Sequence, residues 1–131
     1  MNRKILILIL NDSNMYYELS KSQKKIARKV MDRGLDNHYR RALSDIKTII
    51  QKWDDGAFAG NKEAYMQLFQ TVDRNDNNIA RIYNDKGGSR WVEVIAEQLH
   101  DEVISPEDLN EFDEELRNTI LLWSGMNKGK Q

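Results

Sequence analysis

Three polar residues at alternate positions, Asp73, Asn75 and Asn77, match the opening of a calcium-binding loop. Such a loop holds Ca²⁺ with carboxylate and amide oxygens, and it also needs a tight turn at its sixth position and a bidentate glutamate at its twelfth. Those positions are Asn78 and Asn84 here, which supply neither feature. Since the chain also has no cysteine and two histidines, the sequence predicts no metal site and no cofactor.

A second candidate for chemistry is the segment RGLDNH, in which Arg33 is followed five residues later by His38. The spacing resembles the R-x4-H signature of HEPN-type ribonucleases, which are also small and α-helical. That resemblance implies a dimer cleft in which Arg33 would stabilise a phosphate and His38 would move a proton. The sequence departs from the family at Gly34, where a polar residue is usual, and in placing the motif early in the chain. Because so short a match often arises by chance, we expect His38→Ala to leave the function intact and keep an HEPN-like ribonuclease as a third hypothesis.

Five cationic side chains follow one helical face early in the chain. They are Lys21, Lys24, Lys25, Arg28 and Lys29. Such a face can neutralise phosphates and give a salt-dependent affinity for nucleic acid. Against this, no aromatic residue interrupts the face to stack on bases, and the chain as a whole has a pI near 6.1. Nucleic-acid binding through the basic helix at 21–33 is therefore the second-ranked hypothesis.

The segment 86–90 has the composition of an anion-binding turn. Its residues are Lys86, Gly87, Gly88, Ser89 and Arg90. Free amide groups at a helix start, flanked by two cations, can hold a phosphate or another anion. The phosphate-loop pattern G-x-x-x-x-G-K-[ST] is absent, however, and no strand is predicted before the turn. A helix–helix turn capped by Ser89 explains the same residues.

Charge is divided between the two halves of the chain. Residues 1–56 carry twelve basic and seven acidic side chains, and residues 57–131 carry eight and fourteen, so the net charge of −1 conceals halves of +5 and −6. Such a division favours internal complementarity, self-association or a charged surface for a partner. In the simplest interpretation the two halves face each other.

Apolar residues at helical spacing predict an all-α bundle or orthogonal array of about five amphipathic helices. The predicted helices span 20–33, 36–55, 61–84, 89–101 and 105–123. Gly34 is expected to stop or kink the first helix, and Asp36 to cap the second. The apolar stripe keeps its phase across the polar segment 73–78, so the third helix is predicted to be continuous, with Asn75 and Asp76 on its buried side.

Residues with the preferences of helix ends mark several predicted boundaries. The predicted N-caps are Ser20 or Ser22, Asn61, and Ser105 with Pro106 and Asp108 behind it; the predicted terminators are Gly56 and Gly125. The second and third helices have long apolar stripes, which we expect to lie in the core. These stripes are Tyr39, Leu43, Ile46, Ile49, Ile50 and Trp53 on the second helix, and Tyr65, Leu68, Phe69, Val72, Ile79 and Tyr83 on the third.

The start of the chain is expected to lie outside the helical body. Its apolar run, 5–10, is shorter than the core of a signal peptide, and no small-residue cleavage site follows. We assign 1–19 to an apolar leader and polar linker, 20–123 to a single helical domain and 124–131 to a polar tail. A membrane span needs about 20 apolar residues, so we expect a cytoplasmic protein with no membrane partner.

The sequence contains no recognisable catalytic signature. A serine-centred elbow, a dinucleotide fingerprint and a paired-carboxylate pattern are all missing from it. We therefore expect a non-enzymatic helical interaction or regulatory module that binds protein, either itself or a partner, and no small-molecule ligand. Three tryptophans at helical spacing, Trp53, Trp91 and Trp123, fit either such a surface or the core.

Overall fold

A computed structural model of the protein describes residues 18–84 and 90–125, and all the regular structure in those ranges is helical. The α-helices are α1 (Lys21–Asp54), α2 (Asn61–Tyr83), α3 (Trp91–His100) and α4 (Glu114–Ser124), with a 3₁₀ turn (Pro106–Leu109) between the last two. The all-α prediction is therefore confirmed. None of the helices in these ranges is both long and apolar enough to cross a membrane. The apolar run at 5–10 lies outside the described residues.

The described chain divides into two compact units. One, the terminal unit, contains residues 18–35 and 90–125, and the other, the hairpin unit, contains residues 36–84. Helix α1 contributes residues to both units, because it continues without interruption past the position where they divide.

Helix α1 begins at a capping box and runs through the glycine at which a boundary was predicted. Ser20 Oγ accepts the Gln23 N–H at 3.2 Å, and Gln23 Oε1 accepts the Ser20 N–H at 3.3 Å, so Ser20 is the N-cap. The predicted stop at Gly34 and the predicted cap at Asp36 are wrong, because α1 continues through both residues. Gly34 is buried inside α1, and a Cβ added there would collide with the side chain of Gln98 on α3. The glycine therefore allows close helix packing.

The terminal unit has an apolar core built from α1, α3, the 3₁₀ turn and α4. Its buried members are Leu19, Ala27, Val30, Val92, Ile95, Ala96, Leu99, Ile104, Leu109, Phe112, Leu116 and Ile120. Leu19 thus belongs to the core, although the composition had placed it in the linker. Gln98 Nε2 donates to Met31 O at 2.9 Å, which satisfies the amide nitrogen that lies against Gly34.

The predicted fifth helix is two elements instead of one. Ser105 N–H donates to Asp108 Oδ2 at 2.8 Å, as its capping role requires, but only the 3₁₀ turn follows. Asp113 then begins α4 by accepting the Leu116 N–H at 2.8 Å. The predicted continuity fails because Asp113 is itself a strong N-cap residue. The predicted terminator Gly125 is confirmed, since it follows α4 at a left-handed φ of 79°.

The hairpin unit consists of the second half of α1, a turn and α2. Gly56 ends α1 at a φ of 77°, a left-handed conformation that favours glycine. Ala57 N–H donates to Lys52 O at 2.9 Å and Gly56 N–H donates to Trp53 O at 3.0 Å. This pair of hydrogen bonds is a Schellman motif, which confirms Gly56 as the predicted end of the helix.

Helix α2 is continuous through residues 73–78, as the unbroken phase of its apolar stripe predicts. Its N-cap is Gly60, so the prediction that Asn61 would cap this helix is wrong. Asn61 is the first helical residue, and its Oδ1 accepts the indole N–H of Trp53 at 2.8 Å. The asparagine side chain therefore ties α2 to the end of α1 instead of to its own backbone.

Candidate interaction surfaces

The structure places Arg33 and His38 against different side chains. The Arg33 guanidinium donates to the Asp108 carboxylate in the terminal unit. In the hairpin unit, His38 is buried, and its Nδ1 lies 2.6 Å from the Tyr83 hydroxyl with the two rings edge to face. Residues five apart on one α-helix point about 140° away from each other. The Arg33 and His38 side chains therefore do not lie on the same face of α1, and this arrangement does not support the ribonuclease hypothesis.

The Asp108 carboxylate is held in its ionised form by its neighbours. Burial by itself would raise the pKa of this carboxyl, but the Ser105 amide hydrogen bond and the Arg33 guanidinium together outweigh burial and lower the pKa below its ordinary value. These contacts close the capping box and join α1 to the 3₁₀ turn. Arg33 and Asp108 thus have a structural role in the terminal unit.

The predicted nucleic-acid-binding face is partly covered by the chain's own side chains. Lys29 Nζ lies 3.0 Å from Glu111 Oε2, and the Arg28 guanidinium lies 5.3 Å from the centre of the Trp91 ring. The remaining three make no ion pair with any described residue: Lys21, Lys24 and Lys25. Basic residues from the first half of the chain thus meet acidic residues from the second half inside the terminal unit.

Most of the predicted anion-binding turn, Lys86, Gly87, Gly88 and Ser89, lies outside the described residues. Its last member, Arg90, is described. Arg90 Nη2 lies 2.9 Å from Glu93 Oε2, an ion pair between residues three apart at the start of α3. The one described cation of this turn therefore has an acidic partner in the first turn of α3.

The polar segment 73–78 is helical, so its oxygen atoms do not encircle a common centre. Asn75 lies on the side of α2 that is half buried, and its Nδ2 donates to Thr71 O at 2.9 Å. Asp76 is exposed, so its predicted place on the buried side is wrong. The reason is that adjacent helical residues point about 100° apart, and one of the two must leave the buried side. No group of three or more His, Asp or Glu within the described ranges could hold a metal ion.

The largest departure from the sequence predictions is the exposure of apolar side chains on the hairpin unit. Eight large hydrophobic side chains are exposed in the described ranges, and seven of them belong to this unit. The seven, which we call the hairpin patch, are Tyr39, Leu43, Ile50, Trp53, Tyr65, Met66 and Phe69. Their exposed fractions run from 44% for Met66 to 70% for Tyr65. The prediction that the two stripes form core is therefore wrong, since six of their twelve members are exposed and one, Ile49, is buried.

The contact between α1 and α2 explains why the stripes remain outside. The buried residues of α2 are Ala64, Thr71 and Ile82, and those of α1 in this unit are His38 and Ile49. Several of these side chains are small or polar, which gives a narrow interface. A helix presents only one side to a single neighbouring helix, whereas a broad apolar stripe is buried only when a further helix also packs against it.

The spacing of each stripe is that of a helix–helix seam. On α1 the stripe passes through positions 39, 43, 46, 50 and 53, and on α2 through 65, 69, 72, 76, 79 and 83. Both series alternate steps of four and three residues, the repeat by which coiled-coil side chains interlock with another helix. Asp76 is the single charged residue in either series.

The two stripes border one side of the hairpin unit. An apolar groove of about 390 Å³ near the turn is lined by Ile50 and Trp53 from α1 and by Tyr65 and Leu68 from α2, among others. A second groove is polar, and its lining includes Thr48, Lys52, Gln67 and Gln70. At 100° per residue, these polar residues point away from the stripes, so the hairpin unit has one apolar and one polar side.

No protein-family model matches the chain, and neither the curated proteins nor the solved structures compared with it give a match. The stripes predicted from the sequence contain every residue of the hairpin patch except Met66, but they were expected to lie in the core. The signal that could have corrected this was the alternation of four and three residues on two successive helices joined by a short turn, which indicates helical cover from elsewhere.

Proposed function

We propose that this protein is a non-enzymatic interaction module whose hairpin unit binds a protein through the hairpin patch. The observation that carries the proposal is that, of the eight large hydrophobic side chains exposed in the described part of the chain, seven lie on one unit. Single exposed apolar side chains are normal on a soluble protein, but a contiguous patch of several hundred Å² marks an interaction site.

The side-chain types in the patch also support a protein partner. Tyr39, Trp53, Tyr65 and Phe69 are aromatic, and aromatic residues and methionine are enriched at protein interfaces. The indole of Trp53 is already oriented by its hydrogen bond of 2.8 Å to Asn61. An anchor that is fixed before binding loses less conformational entropy in the complex.

The nucleic-acid hypothesis has less support than a protein partner. Protein–DNA interfaces are more polar and more positively charged than protein–protein interfaces, so a nucleic acid would not cover the hairpin patch. On the basic face, Lys29 and Arg28 already contact Glu111 and Trp91. Binding at this face would therefore compete with contacts inside the terminal unit.

The test is photo-cross-linking in cells that naturally make the protein. The photoreactive residue p-benzoylphenylalanine replaces Phe69 in one variant and its exposed neighbour Gln70, on the polar side, in a matched control. We expect a covalent adduct with a protein from position 69 alone, and its loss when Leu43→Glu is added. Equal adducts at the two positions, or none at either, would overturn the proposal.

A further inference from the structure

We infer that the protein bound by the hairpin patch is a second copy of this chain, with two hairpin units packed face to face as four helices. This inference rests on the proposed function, because it names the partner of the same patch. Three features of the hairpin unit carry it: the spacing of the stripes, the size of the patch and the arrangement of charge at its edges.

The spacing of the stripes indicates that the occupant is helical. Side chains that advance by four and three residues present a straight seam to another helix, whereas an extended peptide or a loop has a different repeat. Both helices of the hairpin unit have this repeat on the same side. The occupant should therefore provide two helices side by side, which a second hairpin unit does.

The size of the patch matches one half of a stable interface. Large aromatic side chains bury roughly 150–250 Å² each, and four of the seven are aromatic while three are somewhat smaller aliphatic ones, so the seven at about half exposure offer on the order of 700 Å². A standard protein–protein interface buries about 800 Å² on each partner. Each of the two identical patches therefore has nearly the area that one partner buries in a standard interface.

A surface that binds its own copy across a two-fold axis must be complementary to itself. At the outer edge of the α1 stripe lies Lys47, and at the outer edge of the α2 stripe lies Asp73. Closer to the turn the signs are exchanged, with Asp54 on α1 and Lys62 on α2. All four residues are exposed. When the two-fold axis runs parallel to the helices, α1 of each copy faces α2 of the other, and each of these cations faces an anion.

The heights of these charges along the hairpin agree with this arrangement. The tryptophan–asparagine bond near the turn and the histidine–tyrosine bond at the other end bracket which positions of α1 and α2 are level. Counted from the first bond, Lys47 is level with about position 67, and counted from the second with about position 74, so Asp73 lies inside this range. The same count puts Asp54 level with about positions 60 to 67, a range that contains Lys62. A two-fold axis parallel to the helices preserves height, so both pairs come within reach of each other.

The experiment measures the mass of the full chain in solution by sedimentation velocity and light scattering across a broad range of concentration. We expect a dimer whose dissociation constant rises at least about tenfold in Leu43→Glu, because a charge then lies in the middle of an apolar interface. Ser44→Glu is the matched control, since it adds the same charge at the neighbouring exposed residue off the stripe. Circular dichroism checks that both variants retain the helical content of the original chain.

Charge exchange tests the arrangement of the two copies. Lys47→Glu and Asp73→Lys should each weaken the dimer several-fold, because each places like charges against each other. The double variant restores opposite charges and should recover most of the affinity. A double variant no better than either single one would overturn the parallel-axis arrangement.

Two further results would overturn a second copy as the partner: a chain that stays monomeric at the highest concentration, and a dimer that Leu43→Glu leaves unchanged. The cross-linking test separates this failure from failure of the proposed function. An adduct at position 69 with twice the mass of the chain supports the second copy. An adduct with a different protein retains the proposed function and overturns the second copy, and the absence of any adduct overturns both.

Discussion

In the terminal unit, twelve apolar side chains enclose one another, whereas in the hairpin unit half of the twelve members of two apolar stripes are exposed and one, Ile49, is buried. Both regions have apolar residues at helical spacing, so the sequence pattern is of the same kind in each. The difference lies in the number of elements within each unit, because α1, α3, the 3₁₀ turn and α4 share the core of the terminal unit, while the hairpin unit consists of α2 and the second half of α1. Helical periodicity thus indicates that one face of a helix will be buried, but it does not identify the element that packs against that face.

The largest expected effect comes from applying one substitution to both units. Leu116 is fully buried and Leu43 is 66% exposed. Leu116→Ala should lower the free energy of unfolding by about 2–5 kcal/mol, because it leaves a cavity in a closed core. Leu43→Ala should change it by no more than about 0.5 kcal/mol in the monomer, since its side chain is already in water.

Urea unfolding followed by circular dichroism, at a concentration low enough to exclude association, measures both changes. Equal losses for the two variants would show that the hairpin stripe is core after all. A loss for Leu43→Ala that appears only at high concentration would instead agree with the second copy as its cover, because association then contributes to stability.

An intermediate effect is expected at Gly34, where the terminal unit is packed most closely. Glycine to alanine in an open helix gains up to about 1 kcal/mol, because alanine loses less backbone entropy on folding. At Gly34 the new Cβ would collide with the buried side chain of Gln98, so we expect a loss of about 1–3 kcal/mol instead. The control is Gly34→Ala in a Gln98→Ala background, where the collision is removed and the loss from the glycine change should largely disappear. Simple addition of the two losses would contradict this account.

The elements that could be predicted from the sequence are those fixed by local interactions. The phase of the α2 stripe and the turn at Gly56 depend on residues close together in the chain, and both predictions are confirmed. The sequence alone does not distinguish a glycine that ends a helix from a glycine that allows a second helix to pack closely. Gly34 is of the second kind because the distant Gln98 lies against it. The apolar spacing predicts a continuous fifth helix because it carries no information about the competing N-cap at Asp113.

The candidate site could be predicted in part, for a related reason. All residues of the hairpin patch except Met66 belong to recognisable stripes, but whether a stripe becomes core or surface depends on how many helices surround it. The contacts of Arg33 with Asp108 and of Lys29 with Glu111 join segments far apart in the chain, and the overall charge division indicated only that such contacts should exist.

The smallest expected effect concerns how each unit ends a helix. In the hairpin unit α1 ends at Gly56, with a φ of 77°, and in the terminal unit α3 is followed by Glu102, with a φ of 62°. The second end is closed like the first, since Val103 N–H donates to Gln98 O and Glu102 N–H donates to Leu99 O, both at 3.1 Å. The two units therefore use the same Schellman geometry with different residues in the left-handed position.

Because a side chain in the left-handed conformation costs roughly 1–2 kcal/mol, Glu102→Gly should relieve strain that Gly56 avoids. Part of that gain is offset by the greater entropy of glycine in the unfolded chain, so we expect a net rise in the free energy of unfolding of about 0.5 kcal/mol. Gly56→Ala is the reciprocal variant and should lower the free energy of unfolding by about 1 kcal/mol, since a Cβ there meets no other atom within 4 Å and only backbone strain acts.

Urea unfolding of the two variants beside the original chain measures both changes in the free energy of unfolding. A neutral or destabilising Glu102→Gly, with Gly56→Ala destabilising as expected, would mean that the contacts of the Glu102 side chain outweigh its backbone strain. The two helix ends would then share a geometry but differ in what stabilises it.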